Sequence, residues 1–198
     1  MHKGRPSISL FSTSPRRREL MKQLKIPVKV CPVTVDETLP EGCSFTEGIQ
    51  LVSRRKLEEG IRLYHSEKAG WGLAADTLVE AGGSLLGKPA DENDALRMLQ
   101  KLSGQVHQVH TAFSVCSAAG GEIVTSCATT YVRFRPLSGE EIENYLRTEE
   151  WKGAAGAYRI QSSGEVLVEK IEGLWSTVVG LPLSPLYGIL SGMAYPLV

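Results

Sequence analysis

In Ser7-Ile8-Ser9-Leu10-Phe11-Ser12-Thr13-Ser14-Pro15-Arg16-Arg17-Arg18-Glu19-Leu20-Met21 a strand runs into a helix. Ile8 and Leu10 alternate with small residues, the period of a short strand. Ser14 is a favoured N-cap and Pro15 suits the first helical position, so a helix opens there and continues to about Leu24. A helix start presents free N–H groups and the positive end of the macrodipole, which favours phosphate. Three arginines in the first turn oppose that dipole. They make sense if an anion sits there, because guanidinium grips phosphate in bidentate fashion. The other reading is a solvated basic turn. Successive helical residues diverge by about 100°, so at most two of the three arginines can face one ligand.

The rest of the chain repeats this alternation. Residues 28–33 read as a second strand. Ser44-Phe45-Thr46-Glu47 has capping-box spacing and opens a long helix through Leu51, Lys56 and Ile61. The near-continuous apolar run 72–79 predicts a strand buried on both faces. Asp91 caps a helix reaching Leu102. Segments 109–118 and 122–134 predict a hairpin around Ala119-Gly120-Gly121. Ser138-Gly139-Glu140-Glu141 is a second capping box, for a helix ending near Arg147. Residues 165–171 read as a strand, 174–179 as a further strand, and Ser184-Pro185 as the start of a last helix. The expected fold is a single α/β domain over residues 1–198, with a mixed, partly antiparallel central sheet flanked by helices.

Composition narrows the function. Hydrophobic residues make up 42% and charged residues 22%, an ordinary globular balance. Lys+Arg and Asp+Glu both total 22. The zero net charge argues against nucleic acid as a partner, so an anion site must come from a local cluster. No apolar run approaches the roughly 18–20 residues of a membrane span, and the segment after the basic N-terminus is too short and polar for a signal peptide. Cys31, Cys43, Cys116 and Cys127 form no C-x-x-C pair and read as free thiols of a cytoplasmic protein.

Several side chains carry possible chemistry. Asp76, within Gly72-Leu73-Ala74-Ala75-Asp76-Thr77-Leu78-Val79, is a carboxylate in an apolar strand. It needs a partner, a metal or a catalytic role, unless it only caps a neighbouring loop. Lys88, between Gly87 and Pro89, sits on a stiff extended segment suited to a phosphate oxygen, though a lone loop lysine is more often simply exposed. Glu37 after Val35-Asp36, and Lys56 after Arg54-Arg55, read on their own as solvated groups. His107 and His110 fall on opposite faces of a strand and make a poor ligand pair. The glycine-rich segments near Gly82 and Gly120 match neither a P-loop nor a dinucleotide fingerprint.

Taken in order, these segments resemble the Maf family of nucleoside triphosphate pyrophosphatases. The resemblance rests on Ser14-Pro15-Arg16-Arg17, Val35-Asp36-Glu37, Ala75-Asp76-Thr77 and Gly87-Lys88-Pro89. It continues through Leu102-Ser103-Gly104 with His107 and Thr111, Gly156-Ala157-Tyr158 with Ile160-Gln161, and Val179-Gly180-Leu181-Pro182. It implies metal-dependent hydrolysis of a nucleoside triphosphate to monophosphate and pyrophosphate, with Mg²⁺ or Mn²⁺, on an ITPase-like mixed fold, as a homodimer. It puts the proton acceptor on Asp76 and substrate binding on Ser12, Arg16, Arg17, Lys56 and Lys88. Glu37 becomes the metal ligand, with Asp76 assisting through a water. Arg16, Thr77 and Gln161 match the branch acting on dTTP and UTP. The alternatives are a branch acting on 7-methyl-GTP or another purine nucleotide, and a nucleotide-binding regulator of cell division with little hydrolysis. Retention of Asp76, Glu37 and Lys88 speaks against the last. One stretch departs from the family pattern: Arg159 and Ser162 stand where glycines flank the Ile-Gln pair. Losing those glycines should stiffen the loop that presents Gln161 and shift its position.

Overall fold

The computed structural model describes residues 5–64, 70–117 and 121–197. Its strands are β1 (Ile8–Leu10), β2 (Val28–Val30), β3 (Trp71–Ala81), β4 (Ser84–Leu86), β5 (Val106–Cys116), β6 (Ile123–Phe134) and β7 (Val168–Glu172). Its helices are α1 (Pro15–Gln23), α2 (Phe45–Tyr64), α3 (Glu92–Leu102), α4 (Gly139–Leu146), α5 (Trp175–Val179) and α6 (Leu183–Gly192). The sheet runs β2-β1-β3-β5-β6-β7, with β4 on β3. β1 is parallel to β2 and β3, whereas β4 is antiparallel to β3 and β7 to β6. This is the mixed, partly antiparallel α/β sheet that the residue pattern predicts. Among the described residues, no helix is long and apolar enough to cross a membrane.

Two compact units make up the chain. The first comprises Met1–Asp76, Thr111–Ala128 and Gly180–Val198. Its core gathers Phe11, Cys31, Leu57, Ala74 and Cys116. α2 buries Ile49, Val52, Ser53, Lys56, Leu57 and Gly60, a stripe of helical period. Gly60 has to be glycine for a steric reason: a Cβ there would lie 2.2 Å from the Phe11 ring. The capping box at the head of α2 forms as expected, with Ser44 N–H donating to Glu47 at 2.9 Å and Glu47 N–H to Ser44 Oγ at 3.3 Å.

The second unit comprises Thr77–His110 and Thr129–Val179. Asp91 caps α3 by accepting from Asp94 N–H, and the Ser138–Glu141 capping box opens α4. His107, Phe134 and Tyr158 meet edge to face, with ring centroids 4.9–5.5 Å apart.

Several elements differ from the expectation. The strand expected over 165–171 begins only at Val168, because residues 163–167 wind into a 3₁₀ turn, where Gly164 lies against the Arg159 carbonyl. The strand expected over 174–179 is instead α5. Gly173 turns the chain at φ 127°, and the Thr130 hydroxyl bonds both the N–H and the carbonyl of Leu174 at 3.0 Å. The last helix starts at Leu183, before Ser184-Pro185, with Leu186 N–H on the Pro182 carbonyl at 3.1 Å. β2 ends at Val30, and the three-residue β4 is too short to show a period. Residues 118–120 of the expected hairpin turn lie outside the described residues.

Candidate functional site

The first unit builds a charged cluster from the β1–α1 turn, the loop before α2, α2 itself and β3. Ser12 is buried, and its hydroxyl accepts from Ser14 N–H at 3.2 Å and from Arg17 Nη1 at 3.0 Å. Arg17 Nε donates to the Gly180 carbonyl at 2.8 Å. The three arginines separate as helix geometry requires: Arg17 is buried, Arg16 half-buried and Arg18 exposed. Burial pulls the Arg17 guanidinium below its ordinary pKa, while the negative charges of Asp76 and Glu37 oppose that pull.

Lys56 is the centre of the cluster. Its ammonium lies 2.6 Å from Glu37 Oε1 and 2.6 Å from Asp76 Oδ1. The Lys56 side chain is 9% exposed, that of Asp76 18% and that of Glu37 48%. A cation so enclosed needs paired anions, because its desolvation is otherwise uncompensated. Reading Arg54-Arg55-Lys56 as a solvated face is therefore corrected for Lys56, and Glu37 is an ion-pair partner as well as a surface group. The signal was available in the helical period, since Lys56 follows Ile49, Val52 and Ser53 on the buried stripe.

Arg55, read from the sequence only as part of a solvated basic run, has a structural role. Its Nη1 donates to the Thr38 carbonyl at 3.1 Å and the Asp36 carbonyl at 3.4 Å, on either side of Glu37. Asp36 Oδ1 accepts from Thr38 N–H at 2.9 Å and closes the same turn. Glu37 is thus delivered to Lys56 by a braced loop.

Two carboxylate oxygens converging on one cation are a donor set that suits Mg²⁺ or Mn²⁺, which take one or two carboxylates and complete their shell with phosphate and water. Glu37 and Asp76 would hold such an ion. Among the described residues, no group of three or more His, Cys, Asp or Glu side chains could enclose a metal. His107 and His110 have other partners: His107 Nε2 meets Tyr158 Oη at 2.9 Å and His110 Nδ1 meets Thr129 Oγ1 at 2.8 Å. Burial pushes the His107 pKa down to about 4 and also lowers that of His110. All four cysteines are free.

The second unit carries Thr77, Lys88 and Gln161. Thr77 follows Asp76 directly on β3 and is half-buried, whereas Lys88 and Gln161 are exposed on loops. Those loops are tied together, because Gly156 N–H donates to the Gly87 carbonyl at 3.1 Å. Gly156 adopts φ 67°, and a Cβ there would press on Val79 at 3.1 Å. Positive φ in this loop falls on Gly156 and on Ala157 (62°), not on Arg159 or Ser162, whose φ is −137°. Neither departure from the family pattern therefore occupies the left-handed region that favours glycine. Within the first unit, direct contacts join Ser12 to Arg17, and Lys56 to Glu37 and Asp76; the charges of Asp76 and Glu37 also act on Arg17, and Arg16 lies in the same helical turn as Arg17.

Residues 7–193 match the family model described as Maf-like protein. A dTTP/UTP pyrophosphatase of Halalkalibacterium halodurans is 42% identical over 175 residues, which span 88% of this chain and 90% of that protein. One of Thermus thermophilus is 40% identical over 192 residues, 96% of each chain. The solved structure of a HAM1 protein from Coxiella burnetii superposes with a TM-score of 0.51 at 15% identity, covering 94% of this chain and 99% of that one, a likeness of fold alone. With nearly its whole length matched by the family model and by relatives of this identity, the chain belongs to the Maf family.

Proposed function

We propose that this chain hydrolyses nucleoside triphosphates to a nucleoside monophosphate and pyrophosphate, with dTTP and UTP preferred. The observation that carries the reading is the Lys56 ammonium held 2.6 Å from both Glu37 and Asp76, beside the buried Arg17. A carboxylate fixed among cations suits attack on a polyphosphate, where catalysis is mostly positioning and charge neutralisation. The names of the relatives, dTTP/UTP pyrophosphatase, support the substrate.

Asp76 acts as the proton acceptor. Its Oδ1 faces Lys56, and Oδ2 takes the proton from the water attacking the α-phosphorus. Lys56 holds that carboxylate in place through its 2.6 Å contact. Arg16 and Arg17, with Ser12 between them and β1, neutralise phosphate charge, and Lys88 holds a phosphate oxygen of the departing pyrophosphate. A divalent cation bound by Glu37 and Asp76 would supply further neutralisation of the charge that develops on the phosphates. Gln161 can both donate and accept, which matches the adjacent carbonyl and N–H on the pairing edge of uracil or thymine, and Thr77 adds a hydroxyl.

Pyrophosphate release from dTTP, UTP, dCTP, ATP, GTP and 7-methyl-GTP, with Mg²⁺, with Mn²⁺ and with EDTA, tests this directly. Higher kcat/KM for dTTP and UTP and loss of turnover in EDTA are expected. A purine preference would overturn the base assignment, unchanged turnover in EDTA the metal requirement, and absence of pyrophosphate from every nucleotide the hydrolase reading.

A further inference from the structure

We propose that Glu150 and Arg159 are positioning residues that preset the Gln161 turn and thereby set base choice, an inference that rests on the pyrophosphatase reading above. Residues 159–162 form a tight turn in which Ser162 N–H donates to the Arg159 carbonyl at 3.3 Å. Ile160 anchors it in the core at 4% exposure, and Gln161 stands exposed at its tip. Both flanks are tied to α4 and the segment that follows it. On one side the Arg159 guanidinium donates from Nη2 to the Lys152 carbonyl at 2.6 Å, and Arg159 N–H donates to Tyr145 Oη at 3.1 Å. On the other side the half-buried Glu150 carboxylate accepts from Ser163 N–H at 3.1 Å.

Gly164 closes the loop behind the turn, where a Cβ would come within 2.5 Å of the Arg159 carbonyl oxygen. Burial would raise the Glu150 pKa, but hydrogen bonding from Ser163 and Ser162 and the charge of Arg159 outweigh it and hold the carboxyl below the usual glutamate range. Glu150 is thus an ionised acceptor dedicated to this turn.

An exposed amide reads a base only if its donor and acceptor are already aimed, since ordering a mobile glutamine on binding costs affinity. The resembling family pattern has glycine at both flanking positions. Here arginine and serine stand at positions of ordinary φ, and the arginine supplies one of the two ties.

The test uses the full chain and the variants Glu150→Ala, Glu150→Gln and Arg159→Gly. Steady-state kcat/KM is measured for UTP and dCTP, alongside the Kd of a non-hydrolysable α,β-methylene analogue of UTP and of CTP. Glu150→Ala and Arg159→Gly should each lower the UTP-over-dCTP ratio about 3–10-fold, the range expected for one lost hydrogen bond. The loss should appear in KM and analogue Kd, with kcat changed less than about twofold. Glu150→Gln should restore most of the ratio, because an amide oxygen still accepts from Ser163 N–H. Amide hydrogen exchange at Ser162 and Ser163 should quicken in Glu150→Ala. Unchanged ratios and unchanged exchange in both loss variants would overturn the proposal. The wild-type profile separates this from the broader reading. If the wild type prefers another base, the variants must flatten that preference; if it discriminates among no bases, the positioning role falls.

Discussion

The cluster around Lys56 and the turn around Gln161 are built by opposite means. In the first, charged side chains sit on long regular elements and neutralise one another directly: Lys56 on α2 meets Asp76 on β3 at 2.6 Å. In the second, the exposed amide sits on a four-residue turn, and its neighbours hold the backbone rather than the amide itself. Beneath that turn the buried polar groups are neutral, His107 against Tyr158 at 2.9 Å. The difference shows where change is tolerated. A buried charge cannot lose its partner without a large desolvation penalty, so the Lys56 cluster is locked together. A turn can exchange flanking residues, as at Arg159 and Ser162, provided φ stays ordinary and the backbone hydrogen bonds are replaced.

The largest effect is expected from breaking the charged cluster at its reacting end. Asp76→Asn should lower kcat by about 10²–10⁴, the usual loss for a positioned base. Glu37 still pairs with the Lys56 ammonium and the new amide oxygen can still accept from it, so the charge keeps a partner and urea unfolding should move little. Turnover within tenfold of wild type would remove Asp76 from the chemistry.

Acid should break the neutral core of the second unit instead. The His107 pKa is about 4 in the fold against 6.5 when unperturbed. A depressed value means that the unfolded chain binds the proton more readily. Its contribution is therefore complete above pH 6.5 and lost as pH falls towards 4. The shift corresponds to roughly 3 kcal/mol. Urea midpoints measured between pH 7 and 4 should show this loss in wild type and a flatter profile in His107→Phe. Equal slopes would assign the acid sensitivity elsewhere.

A smaller effect, taken from one residue of each unit, sharpens the contrast. Arg16→Ala and Lys88→Ala should each lower kcat/KM for the triphosphate about 10–150-fold, the range for one charge-assisted phosphate contact. Inhibition by the monophosphate product should weaken much less in Lys88→Ala if that lysine holds pyrophosphate. Equal weakening for both nucleotides would contradict its placement.

Much of the fold is legible because the deciding interactions are local. Ser44 with Glu47, Asp91, and Ser138 with Glu141 each cap a helix start within one turn, and Ser14-Pro15 marks another through the proline, the Ser14 side chain making no cap hydrogen bond. The α5 segment is not legible, because its conformation depends on the Thr130 hydroxyl bonding Leu174, 44 residues away in sequence. Lys56 was half legible: its place on the buried stripe can be read, whereas its two carboxylate partners cannot. Arg55 and Glu150 left no signal, since both act on backbone groups of other segments, and a backbone carbonyl or N–H carries no residue identity.

By itself, then, the sequence determined the strand–helix alternation, the helix starts and the ordered motifs that mark the family. Period and capping are properties of neighbours along the chain. Tertiary structure alone decided which charges meet: Arg17 finds the Gly180 carbonyl across 163 residues, and Lys56 finds Asp76 across 20. Removing a charge from water is costly, and only the folded chain supplies the opposite charge or dipole at about 3 Å that offsets the cost.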